Sequence, residues 1–100
     1  MYENRDAFLD AFDHQIDPED ELLFWDGYDE AIIGLAERCG SVPVVAYDYL
    51  KLAEKEVRDG MEIEDALEWV ETNLIGAWLG HKTPIVVQSM PLADIRQKLR

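Results

Sequence analysis

Eleven carboxylates crowd the first thirty residues, and Arg5 is the one base among them. The segment therefore carries −10 of the chain's net −13, and residues 31–100, with eight bases against eleven acids, carry the remaining −3. Such a stretch repels itself when it is compacted, so it needs apolar anchors to hold it to a core. Placed at about 100° per residue, Phe8, Leu9, Phe12 and Ile16 fall on one arc of a helix over residues 4–16. Asp6, Asp10, Asp13 and Asp17 form a stripe beside that arc and point to solvent. Like charges at this spacing weaken an isolated helix, and packing by the two Phe must outweigh the loss.

One hundred residues make one domain with one core. Apolar residues are 48 % of the chain, enough for a folded core and against disorder despite the charge. The longest apolar run, 74–79, is far below the roughly 20 residues that span a bilayer. No signal-peptide pattern opens the chain, and Cys39 has no second cysteine to pair with. The expectation is a cytoplasmic protein. The net charge disfavours nucleic acid and anionic lipid and favours basic partners. The basic tail, Lys82, Arg96, Lys98 and Arg100 against Asp94, reads as a solvated helix end.

Along the chain, Pro18 suits the first position of a short helix or helical turn, with Asp17 as its cap and Leu22 to Trp25 following. Residues 30–38 fit either a helix stopped by Gly40 or a strand, and the strand is preferred because Gly34 weakens the helix. The strand puts Ala31, Ile33 and Leu35 on one face, and Gly40-Ser41 joins it as a hairpin to a second strand at 42–47. Asp48 caps a helix over 49–59 with Leu50, Ala53 and Val57 inward, stopped by Gly60. A further helix over 63–74 turns Ala66, Leu67, Val70 and Leu74 inward, but its acids would repel a DNA groove. A short strand at 83–88 and a helix at 92–100 complete the chain.

The fold class expected is therefore α+β: a small single domain with a short mixed or antiparallel sheet packed by three to four helices. It divides into an acidic helical segment 1–26, a core 27–89 and a basic C-terminal helix or tail 90–100. Phe8, Phe12, Leu67 and Trp78 are predicted core residues, with a hot spot for a partner as the alternative reading of Trp78, and Cys39 is a buried packing cysteine.

Several short motifs stand out: 26–34 (Asp-Gly-Tyr-Asp-Glu-Ala-Ile-Ile-Gly), Arg38-Cys39-Gly40, Val45-Ala46-Tyr47-Asp48-Tyr49, Asp59-Gly60-Met61, and 73–80 (Asn-Leu-Ile-Gly-Ala-Trp-Leu-Gly) before Thr83-Pro84-Ile85. As a set over residues 26–87 they resemble a family of small uncharacterised proteins of tailed phages and prophages. The family carries no activity to transfer. In such relatives Thr or Ser is expected at the position of Glu62, so the helix after it should start late here.

Nothing in the spacing assembles a catalytic centre. His14 and His81 have no metal partners, one Cys makes no structural zinc site, and phosphate-loop and nucleophile-elbow patterns are absent. No catalytic residue, metal or cofactor is expected, and the chain reads as a non-enzyme. Calcium would need carboxylates converging from a tight loop, not spread along a rod. The stripe members lie about 5–6 Å apart, near the spacing of strand phosphates.

The reading that follows is an acidic binding protein of phage origin. Its target is a basic, nucleic-acid-handling host protein such as a defence component, inhibited in the anti-CRISPR manner by nucleic-acid mimicry. The expected binding residues are Asp6, Asp10, Asp13, Asp17, Glu19, Asp20 and Glu21. The alternative is a non-enzymatic phage accessory protein that self-associates, as a homodimer for example, or regulates infection.

Overall fold

A computed structural model describes residues 2–17 and 19–100. In chain order the elements are α1 (Arg5–Ala11), a 3-10 turn (Asp29–Ala31), β1 (Ile32–Ala36), β2 (Val44–Asp48) and α2 (Tyr49–Arg58). Then come α3 (Ile63–Trp69) with a π-helical continuation (Val70–Ile75), β3 (Ile85–Val87) and α4 (Leu92–Leu99). The class is α+β with a mixed sheet in the order β1-β2-β3, antiparallel between the first pair and parallel between the second.

Residues 30–38 thus hold a strand, as preferred. A bulge at Ile33 changes its faces, because Ile32 pairs with Tyr47 while Gly34 pairs with Ala46. Ile32 and Leu35 therefore share the face of Val45 and Tyr47, where the expected alternation put them on opposite faces. The link to β2 is a seven-residue loop, 37–43, turned by Gly40 at φ 79°, not a two-residue hairpin.

Asp48 caps α2 by accepting from the Lys51 N–H at 3.0 Å. Gly60, at φ 112°, ends it, and the Met61 N–H returns to the Glu56 carbonyl at 3.0 Å. The inward face is Tyr49, Leu52, Ala53 and Glu56, rotated from the expected Leu50, Ala53 and Val57. The i, i+3, i+4, i+7 stripe runs through a charged residue, which hid it. α3 and its continuation bury Ala66, Leu67, Val70 and Leu74 as expected. α3 begins at Ile63 although Glu62 makes no capping bond, so the late start expected there does not occur.

α1 is shorter than the helix expected over 4–16. Asn4 starts it by accepting from the Ala7 N–H at 2.9 Å, and Phe12 ends it. Asp10 and Asp13 would both stand at the negative end of a longer helix dipole and repel each other, and the helix, which includes Asp10, stops before Asp13. Of the short helix or helical turn expected next, the described residues show a turn only. Its start at Pro18 lies outside the described residues, but Leu22 to Trp25 run without helix. Asp17 makes a turn, accepting from the Asp20 N–H at its carbonyl and from the Glu19 N–H at its carboxylate. Trp25 instead stacks on Tyr47 with ring centroids 4.8 Å apart, while its backbone N–H donates to the Tyr47 hydroxyl at 2.9 Å.

One core holds these parts. Phe8, Trp25, Tyr28, Ile32, Val45, Tyr47, Leu52, Leu67, Val70, Leu74 and Ile95 form a single buried cluster, and Phe12, Leu35 and Val86 pack against it. The helices and the N-terminal segment thus cover the Tyr47 face of the sheet. The opposite face carries Gly34, Ala36, Val44, Ala46, Asp48, Ile85 and Val87 by strand alternation. Among the described residues no helix is long and apolar enough to cross a membrane.

Burial raises the phenol pKa of Tyr47 and Tyr49 to about 12 each, and that of Tyr28 further still. The fold favours the neutral phenol, so this stability is complete below pH about 10 and is lost as pH rises through about 12. Two pKa units at the fully buried Tyr47 correspond to about 2–3 kcal/mol. A 295 nm titration should show these tyrosines ionising late and together with loss of far-ultraviolet circular dichroism. Ionisation near pH 10 with the fold intact would contradict their burial.

Candidate functional site

Arg5, the single base of the acidic segment, is turned inward. Its guanidinium donates to Asp26 at 3.0 Å and to Asp29 at 3.1 Å, and its backbone N–H donates to Asp29 at 3.2 Å. It also lies 4.8 Å from the centroid of Phe24. The hydrogen bond to Asp29, then that to Asp26, raises its pKa, so the charge is held tightly. Glu30 is paired with Arg58. Asp26, Asp29 and Glu30 therefore serve the scaffold.

The other eight acids of the segment, Glu3, Asp6, Asp10, Asp13, Asp17, Glu19, Asp20 and Glu21, have no basic partner within 4.0 Å among the described residues. All but the half-buried Asp20 are exposed. Every residue expected in the binding surface lies in this group. α1 carries only Asp6 and Asp10, one turn apart. Asp13, Asp17, Glu19, Asp20 and Glu21 follow in turns and irregular chain, so the straight four-aspartate stripe does not exist. What remains is a run of uncompensated carboxylates on a strap anchored by Phe8 and Trp25.

A second feature lies on the opposite side of the sheet. A cleft of about 520 Å³ has Ala36, Val44 and Ile85 as its floor, the 37–43 loop as one wall and Trp78, His81 and Thr83 as the other. Trp78 is not the core residue expected: its relative exposure is 73 %. Gly76 and Gly80 turn the chain outward on either side of it. A Cβ on Gly76 would stand 2.9 Å from the Thr72 carbonyl oxygen, and Gly80 sits at φ 96°. Thr83 then fixes the turn, accepting from the Leu79 N–H at 2.8 Å and donating to the Gly80 carbonyl at 2.6 Å. The two bracketing glycines were the available signal for this reversal.

Cys39 is exposed on the 37–43 loop, not buried, because β1 ends at Ala36 and the loop leaves the core before reaching it. His14 and His81 are both exposed, and His81 lies edge-on to Trp78 at 6.0 Å. Among the described residues no three His, Cys, Asp or Glu side chains converge as metal ligands. The arrangement places uncompensated charge on the acidic strap and exposed apolar area around the cleft.

No protein-family profile, curated protein or solved structure matches the chain.

Proposed function

We propose that this chain is an acidic binding protein of phage origin that occupies the nucleic-acid site of a basic host protein, a defence component handling DNA or RNA. The observation that carries the reading is the set of eight carboxylates between Glu3 and Glu21 without a basic partner among the described residues. Charge left uncompensated destabilises a compact state. A partner rich in Lys and Arg relieves that repulsion and is steered to the surface as it does so. The phage origin rests on the resemblance over residues 26–87.

Changing Asp6, Asp10, Asp13 and Asp17 together to Asn tests the reading. None of the four has a basic partner among the described residues, so the fold should be kept, with equal or slightly higher thermal stability. Capture from host lysate at low salt should retain a basic nucleic-acid-binding protein on the parent and lose it on the variant. Raising the salt should release it from the parent as well. Equal capture by parent and variant would place binding elsewhere.

A further inference from the structure

We propose that the sheet face opposite the helices is the interface of a two-fold homodimer, with Trp78 of each copy seated in the cleft of the other. A half-covered sheet normally shows polar side chains to water. This one shows Ile85 and Val87 beside the half-buried Gly34 and Ala36; Val44 and Ala46 of the central strand are already buried, Asp48 on the same face caps α2, and Val42 and Trp78 line the adjoining cleft. Leu79 is 51 % exposed and Ile85 46 %, and the bonded Thr83 turn holds Trp78 outward. A preorganised aromatic beside a cleft of about 520 Å³ is the arrangement of an interface anchor.

Charge identifies the occupant as a second copy. The chain has 22 acids, yet residues 72–93 contain none. The Trp78 turn, β3 and the strand's exit all fall in that window. Around the cleft a basic partner finds only Glu37, and an acidic one only Arg38 and Lys82. A second copy meets apolar surface with apolar surface. At the rim, Glu37, Arg38 and Lys82 have no ion-pair partner within 4.0 Å among the described residues. They carry both signs, so a two-fold axis can set Glu37 of one copy against Arg38 or Lys82 of the other. The acidic strap packs from the Tyr47 side, so both copies keep it outward. The edge of β3 adds to this: Ile85, Val86 and Val87 present no charge to block strand pairing, and Pro84 only limits its start.

The dimer does not depend on the acidic surface having a partner, and salt separates the two. Binding through the acids weakens with salt, whereas apolar association of two strongly negative copies strengthens as their repulsion is screened. Sedimentation velocity of the full chain should give twice the 11.5 kDa chain mass, more completely at about 500 mM salt than at about 50 mM. Trp78→Ser and Ile85→Glu should each raise the dissociation constant about tenfold or more, with unchanged circular dichroism. If either variant loses its fold, a spin label on the native Cys39 of the parent decides instead, since that residue is exposed on the 37–43 loop beside the cleft. A single label–label distance, lost on dilution, supports the two-fold interface. A parent that stays monomeric up to about 100 μM, or a dimer that salt dissociates, or one unaffected by both substitutions, overturns it.

Discussion

Phe8→Ala should cost this domain about 3–5 kcal/mol, a large share of the roughly 5–15 kcal/mol that such a domain has in total. Phe8 is fully buried and meets Phe12, Phe24 and Tyr2 with ring centroids 5.0, 6.0 and 5.3 Å away. It is the point where a self-repelling segment is held to the sheet. Truncation removes the transfer energy of the ring and leaves a cavity whose walls are the acidic strap itself. The urea midpoint should fall accordingly, and the melting temperature by roughly 15–30 °C. Asp10→Asn, two residues away and exposed, should change either by no more than about 0.5 kcal/mol in equivalent. A Phe8→Ala midpoint within the same margin would mean that α1 is not docked.

What the sequence discloses and what it hides divide along one physical line. Where the signal is local, it is readable. Asp48 as a cap, Gly60 as a stop, the inward stripe of Ala66, Leu67, Val70 and Leu74, and the strand at residues 30–38 all follow from side chains within a turn or two of each other. The misread positions are decided by distant contacts. Glu56 is buried because Tyr28, 28 residues away, supplies a hydroxyl. Leu22 to Trp25 stay out of helix because Tyr47 receives Trp25. Trp78 sits in an apolar run that reads as core, and only the reversal between Gly76 and Gly80 sends it to the surface.

The candidate surfaces follow the same division. The excess of acid at the N-terminus is plain from composition. That Arg5 spends its charge on Asp26 and Asp29, and Arg58 on Glu30, is not, since each pair spans more than twenty residues. Those pairings sort the acids into structural and uncommitted ones. The apolar sheet face is harder to read still. Ala36, Val44 and Ile85 look like ordinary strand residues until the order of the sheet brings them together with the Trp78 turn.

Tyr28→Phe should cost about 1.5–3 kcal/mol, the usual worth of a hydrogen bond to a charged group. The Tyr28 hydroxyl donates to the buried Glu56 carboxylate, whose nearest base, Lys55, is 3.9 Å away. Lys55 also lies 4.8 Å from the Tyr28 ring centroid, and Trp69 stacks on that ring at 5.9 Å. Phe keeps these apolar contacts and removes one donor, so the variant isolates the hydrogen bond. Glu56→Gln keeps an acceptor for the hydroxyl and should be the milder change. If the two act through one bond, the double variant should fall short of the sum of the single losses. In Glu56→Gln the Tyr28 phenol should also ionise at lower pH than in the parent, because burial still holds it up but the charge on its neighbour is gone. None of this touches the carboxylates between Glu3 and Glu21. Tyr28→Phe should therefore lower the urea midpoint and leave capture of a basic partner unchanged at temperatures where the variant is folded. Asp6, Asp10, Asp13 and Asp17 to Asn should do the reverse. If Tyr28→Phe weakened capture while still folded, the turn at Asp26 and Asp29 would have to be part of the binding surface, and the division between structural and free acids would fail.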